Sequence, residues 1–332
     1  MDALVGNIPT IDIGRYRQEG LDADDQACLT QACEDHGFFL LAGHGLDDLT
    51  ERMFVASQYF FAQPKASKVD VIRDQENPLG YYDRELTKQK RDLKEVFDFK
   101  AGGHLSRNPR RQQRWPAGQA EFLATLTEFF AAFTQLSEET MAMIFDALGT
   151  PSAEIASIMA TSFGPEHSSA ARLNFYPAAD PVPEDERHAI NALGDMALHH
   201  HTDPGAITLL LQDEHGGLQA YSKTDQWIDV PPQLGTIVVN IGDVMQVWSN
   251  DRCTAGVHRV LPVRSEHGRY STPFFYQPRF DAVVEPWVSQ GETVQFQPFA
   301  WQEFIRGRVA DNFADYGEGD IQIEKYRLSE PA

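Results

Sequence analysis

The chain has 332 residues, of which 42% are hydrophobic and 23% charged, a length and composition that suit one large folded unit with a sizeable core. Acidic residues outnumber basic ones by 49 to 28, giving a formal net charge of −21 at pH 7. Because such a charge repels phosphate backbones and anionic membrane surfaces, nucleic-acid and membrane partners are disfavoured.

The cysteine content and the N-terminus both favour a cytoplasmic protein. Only Cys28, Cys33 and Cys253 occur, an odd number without ligand-like spacing, so no disulfide framework is implied. The first residues, Met1 to Val5, lack the basic region and the apolar run of a signal peptide, and no stretch is suited to span a bilayer. We therefore expect a cytoplasmic protein.

The N-terminal third is predicted to mix helices with a buried strand. A helical pattern over 22–36 ends at Gly37, and 38–41 is predicted to be a buried strand. Apolar residues at i+3 and i+4 spacing predict a second helix over 46–60. Residues 83–118 are charged and poorly periodic, which favours a surface excursion or a substrate lid.

The remainder predicts a long helix followed by a jelly roll. Apolar spacing from Phe122 to Leu148 indicates an amphipathic helix that braces the core. Short strands separated by glycine turns follow, over 207–211, 218–221, 227–230, 236–240 and 257–260. This pattern predicts an α+β protein with a mainly β core, a double-stranded β-helix or jelly roll that carries its site inside the mouth. A helical tail over 299–315 is a candidate cover. We expect an N-terminal region, 1–118, and a bracing helix, jelly roll and C-terminal helix over 119–332, together one compact unit.

His201, Asp203 and His258 form a candidate metal site. In an extended chain residues i and i+2 face the same way, so His201 and Asp203 can bind one ion. His258 lies far enough along the chain to return on another strand. Two imidazoles and one carboxylate leave open positions, which suits Fe(II) that binds a co-substrate and dioxygen. A rival H-x-H pair, His199 with His201, fits the following Asp203-Pro204-Gly205 less well, although His199 is a candidate pocket residue.

A second group of polar residues is suited to bind a dicarboxylate. Arg269 and Ser271 are another i, i+2 pair, and a guanidinium with a neighbouring hydroxyl matches a carboxylate. Upstream, Asn174 and Tyr176 alternate with apolar residues and are expected to face the same pocket.

The order of these motifs resembles that of a known family. R-x-N-x-Y-P at 172–177, H-x-D-P-G at 201–205, H-R-V at 258–260 and R-x-S-x-x-F-F at 269–275 resemble the Fe(II)- and 2-oxoglutarate-dependent dioxygenases of the isopenicillin N synthase-like superfamily. The N-terminal third agrees, for example at Gly43-His44-Gly45, so the resemblance spans roughly residues 8 to 328.

The resemblance implies roles for these residues. His201, Asp203 and His258 would bind Fe(II), Arg269 and Ser271 would bind the distal carboxylate of 2-oxoglutarate, and Asn174 and Tyr176 would lie near its chelating end. The implied reaction uses O2, is stimulated by ascorbate, and releases succinate and CO2. It oxidises a small-molecule metabolite by hydroxylation, or by desaturation, cyclisation or dealkylation. The carboxylate of Asp203 argues against a halogenase. Candidate substrate-pocket residues are Tyr81, Tyr82, Phe175, His199 and Phe275.

Two alternatives stay open at this point. An oxidase of the same fold would use no 2-oxoglutarate, and its Arg269 and Ser271 would bind the carboxylate of the substrate. A metal- or ligand-binding jelly-roll protein without turnover would show closed coordination and no oxygen consumption. The identity of the substrate and the oligomeric state are not defined by the sequence.

Overall fold

The computed structural model describes residues 8–74, 76–87, 89–101, 113–263, 266–288, 291–309 and 321–328. The strands are β1 (Thr10–Asp12), β2 (Phe38–Ala42), β3 (Gly80–Tyr82), β4 (Leu86–Thr87), β5 (Lys90–Arg91), β6 (Glu95–Phe99), β7 (Ala170–Tyr176), β8 (Leu198–His201), β9 (Ile207–Gln212), β10 (Leu218–Ser222), β11 (Gln226–Asp229), β12 (Ile237–Ile241), β13 (His258–Val260), β14 (Arg269–Tyr276), β15 (Val283–Val284) and β16 (Phe299–Ala300). The α-helices are α1 (Ile13–Glu19), α2 (Ala23–Asp35), α3 (Asp47–Phe61), α4 (Lys65–Val69), α5 (Ala120–Ala147), α6 (Ser152–Ser162), α7 (Asp243–Trp248) and α8 (Trp301–Val309). Short 3-10 helices span Gly164–Glu166, Glu184–Ala189 and Ile323–Tyr326.

Two sheets build the jelly roll that the strand pattern predicts. The large sheet has eight strands in the order β1-β2-β12-β9-β14-β7-β6-β3, and the small sheet has four in the order β11-β10-β13-β8. The five short strands predicted after residue 206 correspond to β9 to β13, each within one residue at either end. Strands from the first 118 residues lie at both edges of the large sheet, so the N-terminal region shares one sheet with the core.

Strand register separates an inner from an outer face of the large sheet. Tyr176 lies opposite Arg269 and Asn174 lies opposite Ser271 in the antiparallel β7–β14 pair. Side chains directly opposite each other share a face, and neighbours along a strand alternate between faces. These four side chains therefore lie on one face, the inner face, and Phe274 lies on the outer face.

The bracing helix covers the outer face as its apolar stripe predicts. Phe129 and Phe133 of α5 are fully buried, and their ring centroids lie 6.3 Å and 6.1 Å from that of Phe274. The predicted helices over 22–36 and 46–60 are also confirmed, as α2 and α3. Burial of these helices against the sheet leaves the inner face for chemistry.

Gly37 allows a close approach between the start of β2 and the segment that leads into β13. Its φ of 71° lies in the left-handed region, and a Cβ at this position would lie 2.4 Å from the carbonyl oxygen of Thr254. Only glycine meets both conditions without strain. The backbone N–H of Thr254 also donates to the carbonyl of Cys33 at 2.7 Å, which holds α2 against this segment.

One prediction for residues 83–118 is wrong. The segment contains β6, which is buried along its whole length inside the large sheet, instead of forming only a surface excursion. Its charges mislead because they are neutralised internally: Glu95 is paired with Lys68 at 2.6 Å, and Asp98 with Arg73 at 2.7 Å. Residues 102–112 of the proposed lid lie outside the described residues.

The C-terminal helix is confirmed over Trp301–Val309 as α8, and the rest of the predicted tail, 310–315, lies outside the described residues. None of the helices in the described ranges combines the length and apolar character that a membrane span requires.

Candidate metal centre

His201, Asp203 and His258 converge where two strands of the small sheet meet. His201 ends β8 and lies opposite His258, the first residue of the antiparallel strand β13. Their ring centroids are 4.3 Å apart. One ligand atom from each of the three side chains lies within 4.8 Å of the others, although His201 and His258 lie 57 positions apart along the chain. The strand pairing thus brings together the three residues predicted from spacing.

In each of the three side chains, the polar atom that faces away from the other two ligands is hydrogen-bonded to the protein. Nδ1 of His201 donates to the carbonyl of His199, and Nδ1 of His258 donates to the carbonyl of Gly256, each at 2.9 Å. A neutral imidazole that donates through Nδ1 has its lone pair on Nε2. Both rings are therefore fixed in the tautomer whose Nε2 carries the lone pair that binds a metal.

Asp203 is oriented in the same manner. Its Oδ2 accepts hydrogen bonds from Oγ1 of Thr208 at 2.5 Å and from Nδ2 of Asn240 at 3.0 Å. Its Oδ1 lies 3.7 Å from Nε2 of His201. Thr208 and Asn240 lie opposite each other on β9 and β12, so the large sheet supplies both donors. One carboxylate oxygen is held by the protein and the other is left for an ion.

The protonation states also suit a metal. Burial and the neighbouring His258 lower the pKa of His201 to about 3. Burial opposes ionisation of Asp203, but the two imidazoles and the hydrogen bonds from Thr208 and Asn240 outweigh it and lower the pKa of the carboxyl group. At neutral pH the site thus offers a neutral His201 and an ionised Asp203, as metal binding demands.

The donor set fits Fe(II). Two imidazole nitrogens and one carboxylate oxygen on one side of an ion leave the other positions open, as in non-haem iron oxygenases. A structural zinc site would close the shell with a fourth protein ligand.

His199 does not join the triad, which disfavours the H-x-H alternative. Its Nδ1 lies 2.9 Å from Oδ1 of Asp92, and its Nε2 lies 3.3 Å from Oδ1 of Asp195. The hydrogen bond to Asp92 raises the pKa of His199, which favours the imidazolium form that cannot bind a metal. With both ring nitrogens next to carboxylates, His199 also has little capacity to bind a substrate.

Arg269 is a buried cation, and one nitrogen of its guanidinium has no hydrogen-bond partner among the described residues. The residue is 1% exposed. Its Nε donates to the carbonyl of His215 at 3.1 Å, and its Nη2 donates to Oε1 of Gln212 at 3.3 Å. Nη1 is buried without a hydrogen-bond partner among the described residues. A buried donor left unpaired is costly, so this atom marks a place for an anion.

The other three predicted co-substrate residues share the inner face with this guanidinium. The ring centroid of Tyr176 lies 5.1 Å from Cζ of Arg269, and Nδ2 of Asn174 lies 3.3 Å from Oγ of Ser271. All four side chains lie on the inner face of the large sheet. They provide a cation, a hydroxyl, an amide and an aromatic wall.

The candidate pocket residues divide between the two faces. Tyr82 lies opposite Val96, which lies opposite Asn174, and Phe275 lies opposite Thr208, so both share the inner face. Tyr81 and Phe175 lie on the outer face. Tyr81 donates to Oε2 of Glu95 at 2.6 Å.

The expectation that Tyr81 and Phe175 line the pocket is not supported by their positions. The ring of Phe175 is stacked on that of Tyr270, with centroids 4.7 Å apart, and on that of Phe61, 5.6 Å away. Tyr81 is 1% exposed and has its ring centroid 6.3 Å from that of Phe60. Both side chains fill the core between α3 and the sheet, because strand alternation turns them away from the inner face.

The sequence interpretation missed a buried network of charges on the inner face. Nε of Arg172 lies 2.7 Å from Oδ1 of Asp98, and its Nη1 lies 2.7 Å from Oε2 of Glu85. Lys94 and Arg73 also pair with Glu85, at 2.7 Å and 2.8 Å. Lys94 and Asp98 share one strand face, while Phe97 and Phe99 share the other, and this spacing could have indicated a buried strand with an ionic face. Thr208 and Asn240 were detectable as polar residues inside apolar strands.

The fold and site together define a jelly-roll protein with a candidate metal site that has an open coordination face, and with a buried guanidinium that has a donor to spare on the inner face of its large sheet. Residues 167–278 match the family model of the 2OG-Fe(II) oxygenase superfamily. Residues 8–118 match that of the non-haem dioxygenase in morphine synthesis N-terminal family.

Individual relatives agree over most of the chain. Homoarginine-6-hydroxylase 2-ODD-233 of Oryza sativa subsp. japonica is 31% identical over 300 residues, which is 86% of this chain and 88% of the relative. The 2-oxoglutarate-Fe(II) type oxidoreductase hxnY of Emericella nidulans is 30% identical over 344 residues, 94% of this chain and 91% of the relative. A full-length Neurospora crassa protein, solved in complex with alpha-KG and thymine, has a TM-score of 0.75 at 27% identity, covering 93% of this chain and 98% of that one.

The chain belongs to the 2OG-Fe(II) oxygenase superfamily. It is a non-haem iron, 2-oxoglutarate-dependent dioxygenase that oxidises a small molecule, with Fe(II), 2-oxoglutarate and O2 as its reaction partners.

Proposed function

We propose that His201, Asp203 and His258 bind the catalytic Fe(II), and that Arg269 and Ser271 bind the distal carboxylate of 2-oxoglutarate. One observation carries the proposal. The three inward-facing ligand atoms lie within 4.8 Å of one another while their outward-facing atoms are bonded to the protein. Nη1 of Arg269 supplies an unpaired donor on the adjoining inner face.

Bound iron supplies the centre at which O2 is activated as 2-oxoglutarate is converted to succinate and CO2. The protein's own contribution is placement and charge. Ionised Asp203 offsets part of the charge of the ion, and the fixed tautomers of His201 and His258 present nitrogen lone pairs. Arg269 neutralises one carboxylate of the co-substrate, and Ser271 adds a hydroxyl that Asn174 orients. Tyr176, expected near the chelating end, lies instead beside Arg269 and would shield this end of the pocket from water.

We propose that the substrate is a small polar metabolite and that the reaction is a hydroxylation, as the name of the homoarginine-6-hydroxylase relative suggests. The inner face of the large sheet also carries Arg172 and Asp98, whose side chains are 17% and 11% exposed. The hydrogen bonds of this ionic wall are made within the protein, and a hydrocarbon body packed against it would remove the remaining solvation of its ion pairs, which a body with amide, ureide or amino-acid groups would largely keep. The homoarginine-6-hydroxylase name of one relative and the thymine bound to the Neurospora crassa protein are consistent with a polar substrate. A cytoplasmic location stays a prediction.

Succinate formation tests this function. Anaerobically iron-loaded protein would receive 2-oxoglutarate, O2 and ascorbate, alone and with homoarginine, thymine or jasmonate as chemically distinct probes. We expect slow succinate release that a polar probe accelerates. If only jasmonate, the probe with a largely hydrocarbon body, accelerates succinate release, the proposal of a polar substrate is contradicted. Iron binding without 2-oxoglutarate consumption would favour the oxidase or the non-catalytic binder.

His258→Ala is the control that ties turnover to the proposed centre. This variant removes one ligand, so succinate release should fall to the background of iron-free protein. Turnover at the wild-type rate in His258→Ala would contradict the ligand assignment.

A further inference from the structure

Helix α8 contacts the tripeptide His201-Thr202-Asp203, which carries two of the proposed metal ligands. Nη2 of Arg308 donates to the backbone carbonyl of Thr202 at 2.7 Å and lies 3.2 Å from Oγ1 of the same residue. Arg308 is 7% exposed although it is the second-last residue of its helix. Thr202 stands between His201 and Asp203, and its hydroxyl contacts Arg308. A buried cation from the C-terminal helix thus binds the peptide that connects two metal ligands.

Asp243 completes this arrangement from α7. Its backbone N–H donates to the carbonyl of Asp203 at 2.8 Å. Its Oδ2 lies 3.6 Å from Nε of Arg308, and its side chain is 2% exposed. The preceding Gly242 lies so close that a Cβ there would be 2.9 Å from the carbonyl oxygen of Asp203. The start of α7 and the end of α8 therefore hold two consecutive carbonyls of the tripeptide.

These contacts act where strand pairing ends. β8 stops at His201, and residues 202 and 203 belong to no strand. The orientation of the two peptide groups sets how the side chains of His201 and Asp203 converge. Hydrogen bonds to charged donors are about twice as strong as neutral ones, so Arg308 is suited to fix the carbonyl of Thr202.

We infer that Arg308 is a positioning residue for the metal, through which the C-terminal helix sets the affinity of the site for Fe(II). The inference rests on the proposed ligand set. Arg308 acts through the backbone of Thr202, and the buried carboxyl group of Asp243 lies beside its guanidinium. Groups that orient metal ligands in this manner typically change metal affinity by 10- to 100-fold when removed.

Arg308→Ala compared with Arg306→Ala tests this inference. Both arginines belong to α8, but Arg306 is exposed, so its variant controls for loss of a charge from the helix. The dissociation constant of Fe(II) would be measured anaerobically by competition with a chromophoric chelator, far below the unfolding temperature. We expect Arg308→Ala to bind Fe(II) about tenfold more weakly, Arg306→Ala to match the wild type, and Arg308→Lys to lie between them.

The unfolding temperature separates positioning from a purely structural role. The rise in Tm on adding Fe(II) should be smaller in Arg308→Ala than in the wild type. If Arg308→Ala lowers the Tm of the iron-free protein but keeps both the wild-type Kd and the wild-type rise, the inference is overturned. Wild-type protein that binds no Fe(II) would overturn the proposed ligand set and this inference together, whereas equal affinities would overturn the inference alone.

Thr202→Val tests the inference even if Arg308→Ala does not fold stably. Valine keeps the size and β-branching of threonine and the backbone carbonyl, but it removes the hydroxyl that Arg308 contacts. We expect about threefold weaker Fe(II) binding, the effect of one ordinary hydrogen bond. Unchanged affinity in both Thr202→Val and Arg308→Lys would overturn the inference.

Discussion

Two parts of the inner surface satisfy their buried polar atoms in opposite ways. At the metal centre, Asp203 uses one oxygen for Thr208 and Asn240 and leaves the other facing the imidazoles. The ionic wall is the buried network of Glu85, Asp98, Arg73, Arg172 and Lys94. Both carboxylate oxygens of Glu85 accept from two donors each, so no acceptor is left over. The first region is built to receive a ligand, whereas the second is built to hold strands together. Substitutions in the first should therefore impair binding, and substitutions in the second should impair folding.

Asp203→Ala should have the largest effect on function. Removing the carboxylate leaves two imidazoles and no negative charge for the ion, so we expect loss of iron retention and of succinate formation, with a nearly unchanged fold. Metal analysis after gel filtration and a succinate assay measure this. Asp229→Ala, at an exposed position of β11, is the control. Full activity of Asp203→Ala would refute the triad.

Glu85→Gln should have the largest effect on stability. It removes the charge that Arg73, Arg172 and Lys94 share, and breaking a buried ion pair costs about 3 to 5 kcal/mol. Urea unfolding at pH 7 measures the change in the free energy of unfolding. Glu128→Gln, which breaks a pair with Arg52 on exposed helix surfaces, should change little. Equal losses in the two variants would contradict the distinction between wall and surface.

The carboxylate of Glu85 should also account for part of the loss of stability at low pH. Burial favours the neutral form of Glu85, but Arg172, Lys94 and Arg73 outweigh it and hold its pKa well below the usual range. A carboxyl group with a depressed pKa in the folded state stabilises the fold above its unfolded pKa of about 4.3, and this contribution is lost as the pH falls below that value. The free energy of unfolding should therefore fall less steeply between pH 5 and 3 in Glu85→Gln than in the wild type. Parallel curves would argue against this role.

Arg269→Lys should weaken 2-oxoglutarate binding by roughly 10- to 100-fold, because lysine cannot reproduce the planar fork and a charge-assisted hydrogen bond contributes about 1.5 to 3 kcal/mol. The KM for 2-oxoglutarate in the succinate assay measures this. Arg259→Lys is a matched control, since Arg259 lies on β13 with its guanidinium 4.0 Å from the ring centroid of Trp227. An unchanged KM in Arg269→Lys would refute the assignment.

Thr208→Val should have the smallest effect of the series. It removes one of two donors to Asp203 while Asn240 keeps the other, so we expect about tenfold weaker Fe(II) binding, the lower end of the range for such groups. Anaerobic titration provides the affinity. Wild-type affinity would mean that Asn240 alone orients the carboxylate.

The metal ligands were predictable because the spacing of residues along a strand determines which side chains share a face. An i, i+2 pair on a strand fixes a shared face without any knowledge of the fold, which applies equally to His201 with Asp203 and to Arg269 with Ser271. The same rule could have excluded Phe175 from the pocket, because it stands between Asn174 and Tyr176 on β7. Aromatic character alone does not decide on which face a ring lies.

Other features depend on tertiary contacts that no local pattern carries. β6 is buried with its charges because Arg73 and Arg172 arrive from other segments to neutralise them. The contact between Arg308 and Thr202 joins residues 106 positions apart through the packing of α8. Such partners follow from how the elements assemble, so the sequence predicted the elements and the ligands but not these pairings.

An anaerobic crystal structure with Fe(II) and 2-oxoglutarate tests the central claim most directly. We expect one ion bonded to Nε2 of His201, Oδ1 of Asp203 and Nε2 of His258, and the distal carboxylate of 2-oxoglutarate hydrogen-bonded to Nη1 of Arg269. A metal bound at other residues, or a co-substrate carboxylate that leaves Arg269 unpaired, would contradict it.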